Sequence, residues 1–308
     1  MERCALSITV LMSTFNGEKY LREQLDSIRK QTIYSDLKII VRDDGSTDST
    51  LEILKEYAND GHLQYYCGEN IGSAQSFHEL LRNVEEDEFY AFADQDDVWL
   101  PRKLENAIDC IKNYKKPIVY ASAKKIVDAD LFSIPIKDVV PPKGYINTML
   151  KANVVSGCTM VFNNLLRKEY LKCKKINRNI YHDSYIWKLG DTVGEIYFDH
   201  KAQILYRQHG NNTVGAMPFG YELFRIRVKK FIYSNKYREN KRLSSLAKMW
   251  TIAYKNNVKR DKYKVLMELG MVQYSFFARI KLFFERGLDL FPLYEYIGIK
   301  VRILLGWI

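Results

Sequence analysis

Three aspartates stand close together in the segment FADQDDVW, which runs from Phe92 to Trp99. Asp94, Asp96 and Asp97 directly follow an apolar run. Two carboxylates about 5 Å apart, at an effective dielectric constant of about 20, repel each other by roughly 3 kcal/mol. Hard divalent cations take carboxylate oxygens as ligands, so a bound Mg²⁺ or Mn²⁺ would remove this repulsion. Such an ion would also bridge to nucleotide phosphates and stabilise a departing diphosphate.

A structural alternative is that some of these aspartates cap a helix. Pro101 suits the first turn of a helix, and Asp97 is well placed to be its N-cap. We therefore assign metal binding first to Asp96, then to Asp94, and last to Asp97.

A second acidic pair lies in the segment RDDGSTD. Asp43 and Asp44 come at the end of a predicted strand, where a carboxylate can accept a hydrogen bond from a base imide N–H or a ribose hydroxyl. Gly45 allows a sharp turn after them. The alternative is a turn followed by a helix N-cap, because Asp-Gly is a common turn signal.

Two later residues are also candidates for chemistry. Asp183 precedes the apolar Ile186, Trp187 and Leu189, and a carboxylate beside a partly apolar site can be a general base with a raised pKa. From the residues alone, an ordinary helix N-cap is the favoured interpretation. His209, in YRQHGNN, could ligate a metal or contact phosphate, although a lone loop histidine is more often a surface residue.

Strands and helices alternate along the first 120 residues. The strands are SITVLM, LKIIVRD, LQYYC, FYAFAD and PIVYAS, and amphipathic helices lie between them. This alternation predicts a parallel doubly wound sheet, in which ligands bind beyond the carboxyl ends of the strands. The polar segments STFN, RDDGSTD, GENIGS and DQDD each follow a strand. We therefore predict that they converge on one edge of the sheet as a nucleotide-sized site.

Several boundaries follow from the same signals. We expect Ser46 or Thr47, and Ser73, to be helix N-caps. Residues 123–144 are expected to be irregular, and VVSGCTMVF a strand or buried segment. A helix from about Asn164, a helical YHDSYIWKLG, the strand EIYFD and the polar loop YRQHGNNTVG are expected to follow, with helices from about residue 220.

Length and cysteine usage limit the class of protein. The 308 residues, 47% of them apolar, suffice for one large domain with an appendage. Five scattered cysteines show no metal-ligand spacing, and no N-terminal segment resembles a signal peptide. We expect a reducing, cytoplasmic location. No apolar run reaches the roughly 18 residues that a membrane-spanning helix needs.

The positive charge is concentrated in one block. Residues 221–264 hold 14 Lys and Arg against three acidic residues, whereas the whole chain has a net charge of +10. Such a block is typical of a nucleic-acid binder or of a protein on an anionic membrane. A solvated basic helix face is the simpler alternative. A nucleic-acid binder would leave the acidic segments unexplained, so nucleic acid is not an expected partner.

Six stretches together resemble the inverting family 2 glycosyltransferases of the GT-A fold. They are ITVLMSTFNGEKYLREQLDSIRKQT, VRDDGSTDST, ENIGSAQSF, FADQDDVWLPRKL, HDSYIW and YRQHGNN, and they span about the first 215 residues. Within the family, DQDDVWLPRKL and YRQHGNN look most like bacterial rhamnosyltransferases of surface-polysaccharide assembly.

The resemblance implies a role for each candidate residue. Ser13 and Asp44 match positions that hold the nucleotide base, with Thr14 and Asn16 nearby. Asp43 stays a candidate for the same pocket on its own chemistry.

The remaining matches concern catalysis. Asp94 and Asp96 match the DxD motif, with Asp96 the first choice as direct metal ligand. Asp183 matches the catalytic base, which would deprotonate an acceptor hydroxyl for in-line attack at the anomeric carbon. His209 matches a late histidine that often completes the metal or phosphate site.

The implied protein is a metal-dependent inverting glycosyltransferase. Its fold is a mostly parallel sheet with helices on both faces, followed by a helical C-terminal region. The cofactor is Mn²⁺ or Mg²⁺, the donor dTDP-rhamnose, and the acceptor a glycan or a polyprenyl-diphosphate-linked glycan. Residues 1–219 would form the catalytic domain. The basic residues 220–308 would dock on anionic lipid at the inner membrane face, or pack on the protein or on a second subunit.

Other functions stay open at this point. A UDP-hexose donor would keep the fold and change the sugar. A nucleotidyltransferase is disfavoured, because no Gly-rich loop with a following basic residue comes after the first strand. A non-catalytic subunit of a membrane complex is disfavoured by the joint presence of Asp44, Asp96, Asp183 and His209.

Overall fold

The chain forms two compact units. In the computed structural model the described residues are 6–136, 138, 140–151, 155–174, 176–177, 180–209, 237–285, 287–288 and 293–308. The first unit comprises residues 1–127, 131–141 and 151–207, and the second comprises 128–130, 142–150 and 208–308. The boundary expected at residue 219, and most of the predicted loop YRQHGNNTVG, lie outside the described residues.

The first unit is built on an eight-stranded sheet in the order β3-β2-β1-β4-β7-β6-β8-β5. Strands β1, β2, β3 and β4 pair in parallel, as do β6 and β8. Strand β7 runs antiparallel to both β4 and β6, and β5 runs antiparallel to β8. The strands are β1 Ile8–Thr14, β2 Leu37–Asp43, β3 Gln64–Cys67, β4 Phe89–Ala93, β5 Val98–Trp99, β6 Ile118–Val127, β7 Met160–Asn163 and β8 Glu195–Arg207.

The mostly parallel sheet is therefore confirmed, while a wholly parallel one is wrong. The apolar run that becomes β7 gives no indication of its direction, because a buried strand looks the same in either orientation. The alternation of strand and helix that predicts parallel pairing holds only as far as β4. After that, β7 enters the sheet between β4 and β6.

Helices cover the sheet because each has one apolar stripe. In α1 the buried Leu21, Leu25 and Ile28 recur at the spacing of one helix face. They join one hydrophobic cluster with residues of β1, β2 and β4. The helices of the first unit are α1 Leu21–Arg29, α2 Thr50–Asn59, α3 Ser73–Asn83, α4 Lys103–Ile111, α6 Asn164–Leu171 and α7 His182–Val193.

The predicted helix starts need correction. Helix α2 begins at Thr50, and Asp48 accepts a hydrogen bond from the Thr50 N–H at 3.0 Å, so Ser46 and Thr47 are not its N-caps. Ser73 is the first helical residue of α3, after Gly72 with φ +82°. Ser46 and Thr47 instead form hydrogen bonds with Asn16 of the loop after β1, a contact between distant segments that the local sequence does not show.

Two long strands also exceed their predictions. Strand β6 continues to Val127, inside the segment expected to be irregular, and β8 continues to Arg207, inside the expected polar loop. Each extension is stabilised by parallel pairing with the other, up to the pair Val127–Arg207. Pairing between distant strands thus sets these ends.

The second unit is helical where it is described. Buried Leu246, Trp250, Tyr254, Leu266 and Leu269 form part of its core. Its helices are α5 Tyr145–Leu150, α8 Tyr237–Ala253, α9 Arg260–Met271, α10 Phe276–Phe283 and α11 Leu293–Leu305. Within the described ranges, none of the helices combines the length and apolarity required to cross a bilayer.

Candidate active site

Four polar loops meet at one edge of the sheet. The register pairs Thr14 with Asp43 and Asp43 with Cys67, so the first three parallel strands end side by side. Strand β4 pairs with β1 through Ala93, directly before Asp94. The predicted convergence of these loops is confirmed.

The loop after β1 is joined to the loop after β2. The side-chain oxygen of Asn16 accepts a hydrogen bond from Thr47 N–H at 2.8 Å, and Asn16 N–H donates to Ser46 Oγ at 2.9 Å. Asn16 has φ +47°, a left-handed conformation that asparagine tolerates better than most residues. The exposed Asn16 therefore lies between two loops at the rim.

Asp43 and Thr14 are fully buried and bonded to each other. Thr14 Oγ1 donates to Asp43 Oδ1 at 2.9 Å, and Ser46 Oγ donates to the same oxygen at 2.5 Å. Asp43 Oδ2 accepts the N–H groups of Gly45 at 3.1 Å and Ser46 at 2.8 Å. A carboxylate with four donors has its lone pairs occupied. These two residues shape the turn, in which Gly45 has φ +83°.

Asp44 is buried and holds the loop after β3. Its carboxylate pairs with the buried guanidinium of Arg42 and accepts the N–H groups of Ile71 at 3.0 Å and Gly72 at 2.9 Å. Arg42 also donates to the carbonyl oxygen of Glu69 at 3.0 Å. Arg42 and the N–H groups of Ile71 and Gly72 occupy three of the four acceptor positions of the Asp44 carboxylate, so one position remains for a ligand. Sequence reasoning missed Arg42, although it directly precedes the acidic pair.

Ser13 lies at the end of β1, half-buried. Its hydroxyl donates to Ser76 Oγ of α3 at 2.6 Å. Arg42 donates to the same Ser76 oxygen at 3.3 Å, so Ser13 and Asp44 are linked through a shared pair of partners.

Gln95 connects the acidic loop, residues 94–97 after β4, to the loop after β1. Its side-chain oxygen accepts Phe15 N–H at 2.8 Å and its amide donates to the Phe15 carbonyl at 3.0 Å. A Cβ at Gly17 would lie 2.5 Å from that amide oxygen, so glycine permits the close approach. The position of a glutamine between the aspartates was the only sequence signal for this contact.

The acidic loop brings Asp94 and Asp97 together. Ligand atoms of Asp94, Asp97 and Cys158 lie within 4.8 Å of one another. Burial, followed by the charge of Asp96, raises the pKa of Asp94 to about 7. Burial and the neighbouring carboxylates raise the pKa of Asp97 well above its usual range. Asp97 does not cap the next helix, which begins at Lys103.

This cluster fits a hard divalent cation. Asp97 Oδ2 is buried and has no hydrogen-bond partner among the described residues. Carboxylate oxygens suit Mg²⁺ and Mn²⁺, whereas burial holds the pKa of the Cys158 thiol well above its usual range, so the thiol stays protonated. The donor set is therefore made of oxygens.

Arg207 fixes the acidic loop from the end of β8. Its N–H donates to Asp97 Oδ1 at 3.1 Å and its Nε donates to the Asp96 carbonyl at 2.8 Å. The guanidinium lies 4.4 Å above the ring of Tyr20 and pairs with Glu23. The Asp96 backbone is thus held while its side chain stays partly exposed. Arg207 lies in the segment YRQHGNN, but it is 110 positions from Asp97, so its contact with the acidic loop could not be predicted from the sequence.

Asp183 is in the first turn of α7, half-buried. The helix begins at His182, with Tyr181 at the N-cap position, so Asp183 is not an ordinary N-cap. Burial raises the pKa of Asp183 to about 6, while a hydrogen bond from Ser184 N–H at 2.5 Å and the charge of Lys188 act in the opposite direction. Such a pKa suits a general base near neutral pH.

The positive charge of Lys124 acts on both the acidic loop and Asp183. Its ammonium donates to Ser156 Oγ at 2.5 Å and lies 3.9 Å above the ring of Tyr206. Its charge lowers the pKa of both Asp94 and Asp183, and the charge of Asp183 raises the pKa of Asp94. Gly157, next to Cys158 of the acidic cluster, also lies close to Asp183, because a Cβ at Gly157 would be 3.3 Å from Asp183 Cβ. The candidate base and the acidic cluster are therefore neighbours, as the family resemblance implies, whereas Lys124 was not among the predicted residues.

His209 follows β8 by two residues and is partly buried. It belongs to the second compact unit, so its expected place at the metal site stays a prediction.

A mixed sheet with carboxylates along the carboxyl edge of its parallel strands is the architecture of GT-A glycosyltransferases. The crystal structure of S. aureus TarS 1-349 in complex with UDP-GlcNAc is similar, with a TM-score of 0.56 at 18% sequence identity, over 97% of this chain and 89% of that one. The first unit has the GT-A fold.

Sequence comparison gives the family. The profile described as "Glycosyl transferase family 2" matches residues 9–174. The "dTDP-rhamnosyl transferase RfbG" of Shigella flexneri is 32% identical over 229 residues, which are 67% of this chain and 74% of that protein. The Escherichia coli "UDP-Glc:alpha-D-GlcNAc-diphosphoundecaprenol beta-1,3-glucosyltransferase WfgD" is 26% identical over 237 residues, 76% of this chain and 83% of that protein. The chain belongs to glycosyl transferase family 2 and is a glycosyltransferase.

Proposed function

We propose that this enzyme transfers a sugar from a nucleotide-sugar to an acceptor hydroxyl with inversion, using Asp183 as the general base. The observation that carries this role is the position of a half-buried carboxylate in the first turn of α7, where it packs close to Gly157, the neighbour of Cys158 in the acidic cluster. Burial also raises the pKa of Asp183 to about 6. The acceptor O–H proton moves to the Asp183 carboxylate while the acceptor oxygen forms a bond to the anomeric carbon. The bond from that carbon to the diphosphate oxygen breaks, and the diphosphate leaves with the electron pair.

The nucleotide would bind beyond β1 and β2. We assign the base and ribose to Ser13, Asn16 and Asp44, because Asp44 keeps one acceptor position and the other two lie at the rim. Thr14 and Asp43 act through the shape of the turn, since the Asp43 carboxylate already accepts four donors and the Thr14 hydroxyl is one of them.

Asp96 and Asp94 are the residues that we propose would hold a Mg²⁺ or Mn²⁺ ion, with His209 as a further candidate ligand. The buried Asp97, which clusters with Asp94 and has an unpartnered Oδ2, is the alternative to Asp96. When bound, such an ion offsets the negative charge of the departing diphosphate. Arg207 holds the backbone of the acidic loop, and Gln95 joins that loop to the first one, so the chain presents these carboxylates in a fixed arrangement.

The donor that we propose is dTDP-rhamnose, supported by the name and the 32% identity of RfbG. A UDP-hexose is the second candidate, because the name of WfgD specifies UDP-Glc. WfgD is also named for a sugar-diphosphoundecaprenol acceptor. We therefore propose a polyprenyl-diphosphate-linked glycan as acceptor and a peripheral position at the inner face of a bacterial membrane.

The donor assignment is tested by calorimetric binding of dTDP-rhamnose, UDP-glucose and UDP-galactose in the presence of Mn²⁺, followed by release of the nucleoside diphosphate. We expect dTDP-rhamnose to be preferred by at least about tenfold, since the pocket must fit both base and sugar. A preference for a UDP-hexose would overturn the rhamnosyl assignment and keep the mechanism. A lack of binding to every nucleotide-sugar would overturn both.

We also expect a pH dependence set by Asp183. The base acts as a carboxylate, so kcat should fall with a slope of one proton as the pH drops through about 6, and should level off above it. The profile is measured at saturating metal and donor, because the pKa of Asp94 near 7 would otherwise contribute through metal binding. A kcat that stays constant down to pH values well below 6 would contradict the assignment.

A further inference from the structure

We propose that helices α8, α9 and α10 form a docking face for an anionic phospholipid surface. The inference rests on the proposed function, because it names the partner that an enzyme with a lipid-linked acceptor would meet. It is carried by side chains of the second unit alone.

Two stripes of side chains face one shallow groove. On α8 and the turn after it, Lys248, Ile252 and Lys255 recur at intervals of four and three residues, as on one face of a helix. On α9 and its following turn, Met267, Met271 and Tyr274 show the same spacing. All six are exposed, from 43% for the two methionines to 78% for Ile252 among the apolar ones.

The groove between these stripes is basic and apolar. Its lining includes two lysines and, among the described residues, no acidic side chain; the lining residues are Lys248, Thr251, Ile252, Lys255, Tyr263, Met267, Gly270 and Met271. The Lys248 ammonium lies 5.4 Å from the centre of the Tyr274 ring, so the two stripes also meet beyond the groove.

Helix α10 adds a third stripe of the same kind. Phe277, Lys281 and Phe284 recur at four and three residues, and the Lys281 ammonium lies 5.1 Å from the centre of the Phe277 ring. The exposed fractions of Phe276, Phe277 and Phe284 are 69%, 70% and 71%. The stripes of α8 and α10 therefore combine large apolar groups with lysines, while the α9 stripe between them supplies two methionines and a tyrosine.

This combination matches the chemistry of a membrane interface. Aromatic and aliphatic side chains enter the boundary between headgroups and acyl chains, while lysines extend to the lipid phosphates. A duplex nucleic acid would pair with the lysines but gain little from Ile252, Met267 and the phenylalanines. Peripheral binding of this type needs no helix that crosses the bilayer.

The test is cosedimentation of the full chain with vesicles of phosphatidylcholine alone or mixed with phosphatidylglycerol. We expect binding only to the mixed vesicles, with weakening as salt is raised. The double variant Lys248→Gln/Lys255→Gln should bind about 25-fold more weakly, at about fivefold for each lysine. The double variant Phe276→Ser/Phe277→Ser should weaken binding by at least a similar factor, because it removes large apolar groups.

Matched controls are Lys115→Gln/Lys116→Gln, which removes two exposed lysines of the first unit, and Leu165→Ser, which removes an exposed apolar residue of α6. Both should bind vesicles as the unmodified chain does. Donor binding by calorimetry, which needs neither lipid nor acceptor, reports separately on the proposed function and on folding.

Three results would overturn the proposal. The first is unchanged vesicle binding by both docking-face variants. The second is an equal loss of binding in the controls. The third is a dimer in light scattering that the docking-face variants convert to a monomer, because a second copy of the chain would then cover this face.

Discussion

Asp183→Asn is expected to lower kcat by about 10²- to 10⁴-fold, the range that a positioned general base contributes. Asparagine keeps the size of the side chain but cannot accept the acceptor proton. Because the amide oxygen can still accept the Ser184 N–H, the substitution changes little else in the fold. Binding of donor and metal should remain close to that of the unmodified enzyme.

The measurement is kcat at saturating donor and Mn²⁺ with the acceptor present, together with the donor Kd. Asp60→Asn, at an exposed position, is the matched control and should retain full activity. The loss of activity below pH 6 should also disappear from the residual rate of Asp183→Asn, since the titrating group is gone. If the variant kept more than about a tenth of kcat, the base would have to be another residue.

The edge of the sheet where the loops after β1 to β4 meet could be predicted from the sequence, because each strand and each turn has a local signal. Each of β1 to β4 is an apolar run followed at once by a polar turn, and parallel pairing then places the four turns side by side. Asp183 needed more than local signals. Its residues alone allowed a general base but favoured a helix N-cap, and its match to a family motif made the general base the favoured interpretation.

The residues that hold the site in place could not be predicted from the sequence, because their contacts connect distant segments of the chain. Arg207 contacts Asp97 across 110 positions of the chain, and Lys124 of β6 donates to Ser156, which lies shortly before β7. Both contacts depend on β7 entering the sheet antiparallel between β4 and β6, and on β8 pairing with β6. No local pattern gives the direction of β7, so no local pattern could bring these residues together.

Asp97 shows the same limit within the acidic motif. From spacing alone it was the least favoured metal ligand and the best helix cap, yet α4 starts at Lys103. Asp97 instead lies buried beside Asp94, within electrostatic reach of Lys103, whose pKa burial lowers to about 7. Residues of one motif can thus differ in burial and in partners, and these differences decide what each does.

Asp96→Asn is expected to abolish metal-dependent donor binding and to lower kcat/KM by about 10³-fold, equivalent to roughly 4 kcal/mol of charge stabilisation at the diphosphate. The thermal midpoint should hardly change, because the Asp96 side chain is partly exposed and its backbone is held by Arg207. The measurements are Mn²⁺ affinity by calorimetry, donor affinity with and without Mn²⁺, and thermal unfolding.

Asp97→Asn is the informative comparison. If Asp97 mainly supports the loop, the amide oxygen of the variant still accepts the Arg207 N–H, so the substitution leaves thermal stability close to that of the unmodified enzyme and weakens metal binding far less than Asp96→Asn does. The opposite pattern, in which Asp97→Asn loses Mn²⁺ and Asp96→Asn keeps it, would move the ion to the buried Asp94 and Asp97. Equal metal binding in both variants and the unmodified enzyme would contradict a metal site in this loop altogether.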